Sequence, residues 1–148
     1  MKKLNRKGFT LVELLAVIII LAIVVGISIP AVLTTINNTR NKAFGEAVDT
    51  VADWVDRQYQ AYLVGDSSVA TVDANWTTAC GTPTGNTGTA TCTVSSEFLS
   101  AAGVKPSNFT ISGSTVTINL ATGRSCAHLV GSSTGDYQST EAKDGGIC

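Results

Sequence analysis

One residue calls for a chemical explanation before any other. Glu13 places a carboxylate within FTLVELLAVIIILAIVVGISIPAVL, residues 9–33, which holds no other charge. An ionised side chain inside an apolar membrane segment costs about 2.5–3.5 kcal/mol on insertion scales, so it needs a partner. In a solitary helix Glu13 can reach back to headgroup water, because it lies only five residues beyond a basic stretch. Inside a protein assembly that escape closes, and a buried carboxylate then requires a cation from a neighbour. Such a pair would also supply register, since a subunit one step out of place leaves a charge unpaired.

The remaining reactive side chains point away from catalysis. Cys80, Cys92, Cys126 and Cys148 all fall in the second half, with no C-x-x-C pair and with His128 as the only histidine. No metal site is expected from such a set, whereas two disulfides suit a small exported domain. Four cysteines allow three pairings, and spacing does not choose among them; the local closures Cys80 with Cys92 and Cys126 with Cys148 are the favoured pair. His128 sits in an alternating apolar run and reads as a strand residue. No phosphate-binding glycine loop is present, and no enzyme activity and no cofactor are expected. Asp136, Glu141 and Asp144 cluster near the end. Calcium is conceivable there, but a solvated acidic loop is the simpler interpretation.

Charge is unevenly placed. The formal net charge is -1, yet Lys2, Lys3, Arg6 and Lys7 stand in the first seven positions, where no acid stands. Beyond Gly8 six basic side chains face eleven acidic ones. So acidic a product is not expected to bind nucleic acid directly, because that rests on clustered lysine and arginine.

Positioning Glu13 falls to the apolar run. Leu14 to Leu33 are twenty residues without a charge, and as a helix they cross a hydrocarbon layer of about 30 Å. The basic leader MKKLNRKG should stay on the cytoplasmic side, leaving the remainder outside. Gly26 and Pro30 weaken this helix, since proline removes a backbone hydrogen bond and glycine costs about 1 kcal/mol relative to alanine. They are the expected hinge, against the alternative of a membrane helix that merely tolerates both. Further on, Phe44, Val48, Val51, Val55, Tyr59 and Tyr62 recur at helical spacing, with Glu46, Asp49, Asp53 and Asp56 as an acidic stripe opposite. One face should pack and the other meet water, or basic residues such as Arg40, Lys42 or Arg124 of a neighbour. A helix from Phe9 to Tyr62 would span roughly 80 Å, more than a bilayer or a small globule requires.

From Asp66 the chain becomes rich in threonine, serine and glycine. TATCTV, FTIS, TVTINL and SCAHLV read as strands, the last three divided by turns at Gly113-Ser114 and Thr122-Gly123. SEFLSAAG reads as a short helix capped by Ser95 or Ser96. Three or four antiparallel strands would pack on the face running from Phe44 to Tyr62. The fold class is therefore α+β, a long N-terminal helix, transmembrane and then amphipathic, against a small antiparallel sheet.

Basic leader, Gly8, apolar Phe9, Glu13 and an unbroken apolar run together form KGFTLVELL and its surroundings, which resemble the processing site of the type IV pilin superfamily. The resemblance covers roughly residues 1 to 60. It implies the pilin fold, with residues 1–8 as a leader peptide, 9–63 as the long helix (9–33 transmembrane and assembly part, 34–63 amphipathic part) and 64–148 as an extracellular β-rich domain. It implies cleavage between Gly8 and Phe9, N-methylation of Phe9, and pairing of Glu13 with the amine of a neighbouring subunit. In related filaments the helix is kinked or partly unwound in the stretch that corresponds to Gly26–Pro30. A disulfide often closes an exposed carboxy-terminal loop, which Cys126 and Cys148 fit.

The implied product is a homo-oligomeric helical filament in adhesion, motility or DNA uptake. Its implied partners are a prepilin peptidase/methyltransferase, a membrane platform protein, an assembly ATPase and minor pilins. Membrane lipid surrounds the single-pass subunit before assembly, and the pilus is extracellular. Two alternatives stay open: a pseudopilin of a type II secretion or competence system, for which calcium near the carboxy terminus would count, and a single-pass anchored binding protein.

Mass spectrometry of the amino terminus of material sheared from cells should find a methylated Phe9. Recovery of chains that begin at Met1 would contradict cleavage after Gly8.

Overall fold

The computed structural model describes residues 10–65, 72–132 and 135–139, in two units, Met1–Arg40 and Asn41–Cys148. Helix α1, Leu11–Val64, contributes to both. It opens on a reciprocal cap: the Thr10 N–H and hydroxyl each donate to Glu13 Oε2 at 2.9 Å, and the Glu13 N–H points back to the Thr10 hydroxyl at 3.3 Å. This is the Thr-x-x-Glu capping box, which satisfies donors that a helix start leaves open.

In the first unit α1 continues through Gly26 and Pro30 without interruption. Proline has no N–H, so the Gly26 carbonyl four residues back is the acceptor that loses its donor. Ser28 and Thr34 fold their hydroxyls onto the Val24 and Pro30 carbonyls, at 2.7 and 3.0 Å. Every large apolar side chain from Leu11 to Leu33 is exposed. By length and composition this helix is apolar enough to cross a membrane.

In the second unit the same helix becomes core. Val48, Val51, Ala52, Trp54, Val55 and Tyr59 are buried, with Phe44 and Tyr62 partly so. They pack on a four-stranded antiparallel sheet in the order β1-β2-β3-β4: β1 Thr89–Cys92, β2 Phe109–Asn119, β3 Arg124–Gly131 and β4 Asp136–Gln138. Cys92, Val116 and Ala127 lie across from one another on the inner face, as do Ala90, Ile118 and Ser125. The structure is thus α+β, a long N-terminal helix packed on a small antiparallel sheet.

Two short helices complete the unit. Helix α2, Ala74–Cys80, is capped by Asp73 and buries Trp76 completely. Helix α3, Ser96–Ala101, is capped by Ser95, whose hydroxyl accepts from the Phe98 N–H. Phe98 is fully buried and meets Trp54 edge to face at 5.1 Å. Cys80 at the end of α2 is disulfide-bonded to Cys92 of β1. Their sequence separation of 12 corresponds to about 3 kcal/mol of restriction on the unfolded chain in the loop-entropy model. Cys126 is disulfide-bonded as well, while Cys148 lies outside the described residues.

The expected turn at Gly113-Ser114 is corrected: FTIS and TVTINL belong to one strand. Gly113 does take the left-handed backbone that glycine favours, φ 83°, but the chain spends it on a bulge, and the β2–β3 register shifts between Thr110 and Thr115. Ser114 fills the irregularity, its hydroxyl donating to the Thr110 carbonyl and accepting from the Val130 N–H. The second turn does form. Asn119 accepts from the Ala121 and Thr122 N–H groups, and Gly123, φ 69°, lies so close to α1 that a Cβ would meet Gln60 at 2.5 Å.

Phe98→Ala should lower the unfolding free energy by about 3–5 kcal/mol, the range for emptying a buried aromatic site. Denaturant unfolding followed by tryptophan fluorescence measures it, and a loss below 1 kcal/mol would show that Phe98 is not core.

Candidate functional site

The residues singled out for processing and assembly occupy the start of the chain. Gly8 and Phe9 lie outside the described residues, and Glu13 sits in the first turn of α1. Its carboxylate takes two hydrogen bonds from Thr10, one from the backbone and one from the hydroxyl. Proximity to a helix N-terminus also favours a negative charge. The local sequence therefore carries a solvation shell for Glu13 within the same chain. Thr10 went unnoticed in the sequence, although the signal, TLVE ahead of an apolar run, is legible there.

What this arrangement can do is limited and specific. Hydrogen bonds to a charged group are stronger than those between neutral groups, and Glu13 has two of them from Thr10. Thr10 gives the Glu13 carboxylate two donors without cancelling its charge. A cation is still what would neutralise it.

Elsewhere the acidic stripe divides. Glu46 and Asp53 are exposed, but Asp56 turns toward β3, where it accepts from the Ser125 N–H at 2.6 Å and faces Arg124 Nε at 3.8 Å. Ser125 reinforces the tie by donating its hydroxyl to the Ala52 carbonyl at 2.8 Å. The solvated-stripe expectation is corrected for Asp56, and Arg124, one of the basic residues named for the alternative of contact with a neighbour, faces an acid of its own chain. Burial pushes the Asp56 carboxyl above the ordinary carboxylate range; the Ser125 hydrogen bonds and the Arg124 charge oppose that shift, and Asp53 adds to it.

His128 lies on β3 across from Gln138 of β4. Its Nδ1 is 3.3 Å from Gln138 Nε2 and its Nε2 is 3.6 Å from Asp136 Oδ2. These are cross-strand contacts, with no nucleophile in the set. Among the described residues no group of three or more metal-type ligands comes together; Glu141 and Asp144 lie outside them.

Residues 3–29 match the family described as the prokaryotic N-terminal methylation motif, the class III signal peptide of type IV pilins. The match takes in Gly8, Phe9, Glu13 and Gly26 and sits on the start of the long apolar helix. Neither the curated proteins nor the solved structures contain a match to the chain.

The shifted Asp56 has a consequence for stability. Because its folded pKa is raised, it contributes most below the unfolded carboxylate value of about 3.9, and that contribution is lost as pH rises through the folded value. Asp56→Asn keeps an acceptor for Ser125 and removes the ionisation. Urea unfolding at pH 4 and pH 7 should show the stability difference moving in favour of the variant as pH rises; movement the other way would contradict the shift.

Proposed function

We propose that the chain is the precursor of a type IV pilus subunit. Cleavage after Gly8 removes the leader 1–8 and exposes a positive amine on Phe9, and N-methylation preserves that charge. Residues 9–33 hold the subunit in the cytoplasmic membrane, with the amino terminus cytoplasmic and residues 64–148 exported. On assembly the apolar helix leaves lipid for the filament interior. There Glu13 pairs with the Phe9 amine of a neighbour, which sets the axial stagger. Gly26 and Pro30 supply a stretch where the helix can bend or loosen as subunits pack, because one backbone hydrogen bond is already missing between them.

The observation that carries this proposal is an ionisable carboxylate in the first turn of an exposed apolar helix, inside an N-terminal methylation motif. A plain membrane anchor has no use for that charge. A filament does, because mispaired charges in a low-dielectric interior cost several kcal/mol per ion and so reject wrong registers. The role is structural: nucleotide-driven force for growth comes from a separate assembly ATPase, with a platform protein, a processing peptidase and minor pilins as further partners. Adhesion, motility or DNA uptake would be properties of the polymer.

Glu13→Ala should be cleaved after Gly8 and retained in the membrane, while the yield of sheared filaments falls at least tenfold. Filaments at the parental yield would refute the assembly role.

A further inference from the structure

Three Asn-x-Thr triplets stand among the described residues: Asn37-Asn38-Thr39, Asn75-Trp76-Thr77 and Asn108-Phe109-Thr110. In an exported chain this triplet is the acceptor pattern for an N-linked glycan. Transfer needs the carboxamide and the hydroxyl two residues on to be presented together. Backbone conformation therefore decides which triplet can serve. Extended chain puts residues i and i+2 on one side, whereas a helix turns them about 200° apart.

The first two triplets fail that test. Asn37 and Thr39 lie within α1, and the Thr39 hydroxyl is committed to the Thr35 carbonyl at 2.9 Å. Asn75 and Thr77 lie within α2, the Thr77 hydroxyl donates to the Asp73 carbonyl at 3.1 Å, and Trp76 between them is fully buried. Asn108 differs in every respect. It ends a one-turn 3-10 helix, Pro106–Asn108, and the following Phe109 is extended, φ -127° and ψ 153°, as β2 begins. Phe109 is 6% exposed and anchors inward, leaving Asn108 and Thr110 both exposed. Among the described residues neither the Asn108 carboxamide nor the Thr110 hydroxyl has a hydrogen-bond partner. Their backbones, by contrast, are held: the Asn108 carbonyl accepts from the Ser132 N–H at 2.9 Å, and the Thr110 carbonyl from the Ser114 hydroxyl.

We propose that Asn108 is an acceptor for an N-linked glycan. The donor class is a lipid-pyrophosphate-linked glycan, and the transfer rests on the export of residues 64–148 proposed above. Asn108 Nδ2 forms a bond to C1 of the first sugar as the bond from C1 to phosphate breaks. The lipid pyrophosphate leaves with the bonding electrons, and one Nδ2 proton passes to a base of the transferase. Thr110 positions the carboxamide through its hydroxyl.

The test is peptide mapping of the full chain sheared from the cells that make it, reduced and cut with a glutamate-specific protease, which separates Asn75 from Asn108 at Glu97. A hexose-containing mass gain is expected on the peptide holding Asn108. It should vanish in Asn108→Gln and Thr110→Ala and persist in Thr110→Ser. Unmodified Asn108 in chains that begin at Phe9 overturns the glycan proposal alone, as does a glycan confined to Asn37 or Asn75. Chains that still begin at Met1 overturn the export reading and this proposal with it.

Discussion

A carboxylate in an apolar helix must be satisfied somewhere, and the start of this molecule can be understood from that constraint. Glu13 has its first answer in its own chain, through the backbone and hydroxyl of Thr10. Hydrogen bonds to a charged group are shorter and stronger than those between neutral groups. What Thr10 cannot supply is positive charge, and in the proposed assembly that comes from a neighbour's processed amino terminus. In that proposal one carboxylate is held by Thr10 in the single chain and by a neighbour's amine in the filament.

The second unit solves a different problem. A four-stranded antiparallel sheet with a three-residue edge strand buries too little by itself. The segment of α1 from Asn41 onward supplies the missing core, placing Val48, Val51, Val55 and Tyr59 against it at 1% exposure or less. Polar ties fix the register of helix on sheet: Ser125 to the Ala52 carbonyl, Asp56 to the Ser125 N–H, and the Tyr59 hydroxyl to the Leu120 carbonyl at 3.4 Å. One of them carries a partly desolvated acid, which is why the Asp56 carboxyl departs from ordinary behaviour.

Elements with a strong period or a strong cap were legible in the sequence. The stripe from Phe44 to Tyr62, a serine cap of α3 at Ser95 or Ser96 and the turn at Gly123 follow from spacing, a short polar side chain and a tight backbone. The bulge at Gly113 was not, because a glycine that bends a strand and a glycine that ends one carry the same local signal. Only cross-strand partners such as Val130 distinguish them. Helix α2 is too short to show a period, and its reason for existing is tertiary, the seating of Trp76. Strand β4 is three residues long and depends on Tyr137, whose ring stacks on Phe44 at 4.9 Å. At the site, Glu13 stood out through its environment, while Thr10 was hidden by being an ordinary residue in an ordinary place. Asp56 was missed as a helix-sheet tie because the partner, Ser125, lies 69 residues away.

The most direct test is a near-atomic structure of the assembled filament around Phe9 and Glu13. A carboxylate oxygen of Glu13 should lie within about 4 Å, ion-pair range, of the Phe9 amine of a neighbouring subunit. A filament in which Glu13 stays bonded only to its own Thr10, with every Phe9 amine elsewhere, would contradict the charge-pairing origin of the stagger.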